Sequence, residues 1–86
     1  MWKINFDKKA QKSLDGLDKI TKSKIISYLN YRVAGNPKSY GKALIGNLRG
    51  LWRYRVGDYR IICHIQEEQI LILVLDIGHR REVYSK

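Results

Sequence analysis

The sequence predicts an α+β fold of two layers: an N-terminal strand and an antiparallel helical hairpin packed on a small antiparallel sheet. Three observations lead there. Residues Leu51–Ile65 (LWRYRVGDYRIICHI) alternate in type as a half-buried strand should, and Gly57-Asp58 interrupts the run where a two-residue turn belongs. Asp7 and Asp18 each precede a stretch whose apolar residues recur at helical spacing. Ile70–Leu75 is an unbroken aliphatic run, suited to a strand in the middle of a sheet and far too short to span a bilayer.

Taken in order, Met1–Phe6 reads as a first strand with Trp2, Ile4 and Phe6 on one face. Asp7 caps a helix whose stripe is Ala10, Leu14 and Leu17, and Gly16 ends it. Asp18 caps a second helix with Ile25, Ile26, Leu29 and Val33 on its buried side. Gly35 falls at its C-terminal cap and Pro37 prevents continuation. The short connection makes the two helices antiparallel neighbours. Asn36–Gly50 reads as a loop, pinned to the core by Leu44 and Leu48. Glu67-Glu68 turns the chain after the hairpin, Gln69–Ile77 forms the next strand, and Gly78 breaks it. The whole chain, 1–86, reads as one small domain with a thin core.

The hairpin carries the most information. A two-residue turn at Gly57-Asp58 pairs Val56 with Tyr59, Arg55 with Arg60, Tyr54 with Ile61, Arg53 with Ile62 and Trp52 with Cys63. One face is then apolar (Trp52, Tyr54, Val56, Tyr59, Ile61, Cys63), and the helices cover it. The other face collects Arg53, Arg55 and Arg60, with His64 deeper from the turn, and is expected to stay open as a concave surface. Like charges directly opposed in a sheet are destabilising, so this face is expected to hold an anion. The planar fork of arginine suits phosphate.

Seventeen Lys and Arg against eight Asp and Glu give a net charge of +9, concentrated in the first 60 residues. Such a footprint points to nucleic acid or an acidic protein partner. It does not point to a membrane, because there is no strongly amphipathic basic helix with exposed Trp or Phe. The lone cysteine, Cys63, excludes an intrachain disulfide and reads as a small buried hydrophobe, consistent with a reducing cytoplasm. The N-terminus has no apolar secretory segment. No Cys/His spacing suits zinc, no carboxylate pair suits a metal, and no glycine loop cradles phosphate, so neither metal nor cofactor is expected. The aromatic residues read as core and not as a row for stacking bases.

Leu51–Ile62 (LWRYRVGDYRII) followed by Gly78–Tyr84 (GHRREVY) resembles the RelE-like toxins of the RelE/ParE toxin–antitoxin superfamily, and the likeness extends over nearly the whole chain. The resemblance implies a RelE-like, microbial-ribonuclease-like fold. It implies a ribosome-dependent mRNA endonuclease that cuts in the A site, inhibits translation and is neutralised by a cognate antitoxin. It also implies catalytic roles for Arg53, Arg55, Arg60, Arg80 and Tyr84, with His79 where some members carry histidine. The chain ends at Lys86, so the helix that some members carry after the tyrosine is expected to be missing. An alternative implied by the same superfamily is a ParE-like toxin that inhibits gyrase and cuts no RNA.

The chemistry expected of such a site is metal-independent attack of an RNA 2′-OH on the adjacent phosphorus. It needs a base, cations for the charge that builds on phosphorus, and an acid for the leaving 5′-oxygen. The four arginines supply cations. Arginine cannot serve as the base, which leaves His79 as the natural candidate and Tyr84 as the second. Lys9, Lys12, Lys22, Lys24, Lys42, Arg49 and Arg81 are the expected contacts to the RNA backbone of the ribosome.

Overall fold

The computed structural model describes residues 1–79. Strand β1 (Lys3–Phe6) leads into helix α1 (Lys8–Asp15) and then helix α2 (Lys19–Tyr28). A short helix, α3 (Pro37–Tyr40), and a two-residue strand, β2 (Lys42–Ala43), follow. The hairpin β3 (Trp52–Val56) and β4 (Tyr59–Gln66) comes next, and β5 (Leu71–His79) closes the described chain. The five strands form one sheet in the order β1-β5-β4-β3-β2. The α+β class and the helical layer on one face are as the sequence predicts.

The local signals act as expected. The Asp7 carboxylate accepts from the Ala10 N–H at 2.9 Å, and the Asp18 carboxylate from the Thr21 N–H at 3.1 Å, so each helix starts on a side-chain cap. These caps and Lys22 hold Asp18 and Asp15 below the usual carboxylate range: Thr21 hydrogen bonds act on Asp18, and the Lys22 ammonium acts first on Asp15. α1 ends at Gly16. Ala10, Leu14, Ile25, Leu29 and Val33 from the helices meet Tyr54, Ile61, Cys63, Ile72, Val74 and Ile77 from the sheet in one core. Cys63 is buried there, and burial pushes its thiol pKa up.

Four features depart from the sequence reading. First, β1 pairs with β5 in parallel, Lys3 beside Leu71 through Phe6 beside Val74. The sheet is therefore mixed, because a strand returning after two helices can enter on either side and in either direction. Second, α2 widens at its end into a π-turn over Leu29–Val33, where the Ala34 N–H reaches back to the Leu29 carbonyl at 2.8 Å. This keeps Leu29, Val33 and Ala34 all buried, and Gly35 is not left-handed. Third, Asn36–Gly50 is not simply a loop. Pro37 starts α3, where its missing N–H costs nothing, and β2 pairs with β3. Leu44 is half-buried but Leu48 is exposed. The segment is held instead by the buried Tyr54 hydroxyl, which donates to the Pro37 carbonyl at 2.6 Å. Fourth, β5 runs through Gly78 without breaking. Its Ile72 and Val74 are fully buried, while Leu71, Leu73 and Leu75 are only half-buried, so β5 is covered on one side more than the other.

The turn itself is as the sequence predicts. Gly57 takes φ +58°, and all five pairs from Val56–Tyr59 to Trp52–Cys63 are in place. A glycine at this position enters the left-handed region without a Cβ penalty.

Candidate functional site: the arginine face of the sheet

Directly opposed residues in a sheet share a face, so the register lays out the site. One row runs Lys42, Arg53, Ile62, Asp76 across β2, β3, β4 and β5. The next row, toward the turn, runs Arg55, Arg60, Gly78. Lys42, Arg53, Arg55 and Arg60 thus gather on the face that the helices do not cover. His64 lies on the same face, exposed, with its Nδ1 3.3 Å from the Gln66 amide.

Arg60 differs from its neighbours. It is 7% exposed, the one buried charged residue among those described, whereas Arg55 is exposed and Arg53 half-buried. Gly78 stands opposite it and contributes no side chain. Among the described residues, the Arg60 Nε and Nη1 atoms are buried without a hydrogen-bond partner. Opposed Cα atoms in an antiparallel pair lie ~4.5–5.5 Å apart. Arg55 and Arg60 are directly opposed, so their like charges repel. A buried guanidinium with unmet donors beside a second guanidinium is a poor arrangement for stability alone. It is a good one for an oxyanion, which would satisfy the donors and screen the repulsion together. The face is not fully open: Ile62 at its centre is buried as well.

His79 does not join this cluster. Ile62 pairs with Asp76 but Cys63 pairs with Val74, which leaves Leu75 as an extra residue in β5. The bulge reverses the alternation beyond it. Ile77 and His79 therefore share the face of Ile61 and Tyr59, and the His79 ring stands edge-on to Tyr59, their centroids 5.9 Å apart. Straight alternation along β5 from Val74 would put His79 beside the arginines; the extra residue puts it on the other face.

The expected RNA-contacting residues are scattered. Lys9 lies 3.4 Å from the Asp76 carboxylate and Lys22 3.0 Å from that of Asp15. Lys12 is exposed on α1, Lys24 is exposed on α2, and Arg49 ends the 3-10 turn before β3. Of this group only Lys42 joins the arginine row. Arg80, Arg81 and Tyr84 lie outside the described residues. Sequence reasoning did not find Lys38, which reaches the Glu67 carboxylate at 3.0 Å, or the exposed Tyr31. Tyr31 had a signal, since it sits two residues past Leu29 and so off the Leu29–Val33 stripe. Among the described residues no group of three or more His, Cys, Asp or Glu could hold a metal ion, and no helix is long and apolar enough to cross a membrane.

Comparison with known proteins agrees with this arrangement. The chain is 24% identical over 83 residues to Toxin RelG of Mycobacterium tuberculosis, covering 96% of this chain and 95% of that protein. The toxin–antitoxin complex RelBE2 from the same organism contains a chain of similar fold, with TM-score 0.87 and 24% identity over 92% of this chain and 98% of that one. The isolated Escherichia coli RelE toxin superposes with TM-score 0.80 and 22% identity over 99% of this chain and 93% of that one. The sheet, its order and its helical layer are thus those of RelE toxins. The family described as the ParE toxin of type II toxin–antitoxin system, parDE, matches residues 4–84, nearly the whole sequence. This chain belongs to that family of type II toxins, within the RelE/ParE superfamily.

Proposed function

We propose that this toxin is a metal-independent endoribonuclease that cuts mRNA in the ribosomal A site and is neutralised by a cognate antitoxin. The observation that carries this reading is Arg60, buried with two donor nitrogens unmet among the described residues, opposite Arg55 and one row from Arg53 and Lys42. That is a cradle for a phosphate whose charge increases during reaction. The 2′-oxygen attacks phosphorus, the 5′-oxygen leaves, and a 2′,3′-cyclic phosphate and a 5′-hydroxyl result. Arg53, Arg55, Arg60 and Arg80 stabilise the extra charge. With His79 packed on Tyr59 across the sheet, this reading gives the proton-accepting role to Tyr84, whose phenolate a neighbouring guanidinium would favour. The resemblance to toxins solved as complexes with their antitoxins supports the antitoxin as partner.

Primer extension on an mRNA in a reconstituted translation system tests it. New stops within the A-site codon, absent without ribosomes, are expected. Arg60→Ala should weaken them by about 10²–10³ in rate, the usual cost of one transition-state donor, and Tyr84→Phe should do so comparably. Intact mRNA with folded protein sinks the reading. A second reading, inhibition of gyrase, is favoured by the family's description as ParE. Loss of supercoiling activity with mRNA left intact would select it.

A further inference from the structure

A second surface, on the helical side of the molecule, has the makings of an RNA contact that the arginine face does not explain. Tyr31 projects from the end of α2 with 82% of its surface exposed, the most exposed aromatic residue among those described. It borders a shallow groove that is open to solvent. Tyr28 forms the apolar wall together with Val56 at the end of β3. Lys24 and Arg32 bring positive charge, the hydroxyls of Ser23 and Ser27 can donate or accept, and among the described residues no carboxylate lines the groove.

The wall is fixed in place. Tyr28 and Tyr40 meet edge to face with centroids 6.4 Å apart, and the Arg32 guanidinium lies 5.9 Å from the Tyr40 ring centre. α3, which carries Tyr40, is itself tied to the sheet through Pro37 and Tyr54. The π-turn that starts at Leu29 sets where Tyr31 and Arg32 emerge. An exposed aromatic ring beside cations is an arrangement that binds single-stranded nucleic acid, where each base offers a π-face and each linkage a phosphate. Duplex offers the phosphates alone.

We propose that this groove holds an unpaired RNA segment, with Tyr31 stacking on a base and Lys24 and Arg32 holding the flanking phosphates. The choice of RNA as the nucleic acid rests on the nuclease reading above. The site does not, because Val56 and α2 lie on the covered side of the sheet, away from Arg60.

The test is fluorescence anisotropy with a labelled 2′-O-methyl oligoadenylate, which has no attacking hydroxyl, and with the matching duplex, using the full chain. Tyr31→Ala should weaken the single strand by about five- to tenfold and leave the duplex unchanged. Tyr31→Phe should bind within about twofold of the parent, since the π-face remains, and the Tyr31 ring protons should move upfield on adding the single strand. Arg60→Ala should retain the difference between parent and Tyr31→Ala. Equal single-strand binding by parent and Tyr31→Ala overturns the proposal. So does a Tyr31→Ala defect confined to capture of the co-expressed antitoxin, which would give the groove to a protein. Absence of mRNA cleavage together with an intact Tyr31 effect would sink the nuclease reading and leave the groove standing.

Discussion

The two faces of the β3–β4 hairpin are built from alternate residues of the same stretch, yet they obey different rules. On the helix side, Tyr54, Ile61 and Cys63 are fully buried, and the one polar group among them, the Tyr54 hydroxyl, is satisfied by the Pro37 carbonyl. On the other side, Arg53, Arg55 and Arg60 crowd like charges together, and Arg60 keeps donors unmet among the described residues. One face is optimised for the fold, while the other gives up stability for a preformed cation cluster. The difference teaches where to look for function in a domain this small: at the positions that make the fold worse.

Substitutions on the two faces should therefore have opposite signs. The largest effect is expected on the packed face. Ile61→Ala leaves a cavity beside Tyr54 and Ile77 and should cost about 2–5 kcal/mol in urea unfolding, a large share of the stability of a domain this small. Arg60→Met should go the other way, raising stability by about 1–2 kcal/mol while abolishing growth arrest. A stability loss with Arg60→Met would mean that the face is structural and the comparison fails.

Alkaline pH sharpens the same contrast. Burial raises the pKa of both Cys63 and Tyr54 above their ordinary 9.0 and 10.0. Both groups therefore stay protonated in the fold and ionise first in the unfolded chain. Their stabilising contribution is complete below about pH 9 and is lost as pH rises through and beyond the ordinary values, by up to about 1.4 kcal/mol per pH unit for each group. Urea titrations above and below about pH 9 should show this loss, and Cys63→Ala should remove its earlier part. The smallest effect is expected far from both faces. Ile70, in the turn before β5, holds φ +50° and ψ +49°, a left-handed conformation that a β-branched residue adopts at a cost. Ile70→Gly relieves about 1–2 kcal/mol of strain and gives back about 0.5–1 kcal/mol in backbone entropy, so it should stabilise the protein slightly without changing activity; a loss of more than about 1 kcal/mol would show that the turn is unstrained.

What was legible in the sequence was local. Asp7 and Asp18 act within three residues, and Gly57 fixes a register by itself, so both helix starts and the whole hairpin followed from short-range rules. The parallel pairing of β1 with β5 was not legible, because nothing near Lys3 points to Leu71. Within the site, Arg53, Arg55 and Arg60 fell together because the turn dictated it. His79 was proposed from resemblance and from its chemistry as a base, whereas its face is set by a single extra residue, Leu75, which reverses the parity of the strand beyond it, and no residue type marks a bulge of that kind. Tyr31 was passed over because a polar-faced helix position draws no attention until its exposure is known.

The pairing of β1 with β5 also sets a schedule. During synthesis, at about 5–20 residues per second, the first strand leaves the ribosome several seconds before β5, its one hydrogen-bonded neighbour in the sheet among the described residues, exists. The helical hairpin must wait with its apolar stripe uncovered, and Arg60 cannot acquire its surroundings until Gly78 arrives beside it. The cation cluster is therefore assembled late, only once β5 has joined the sheet.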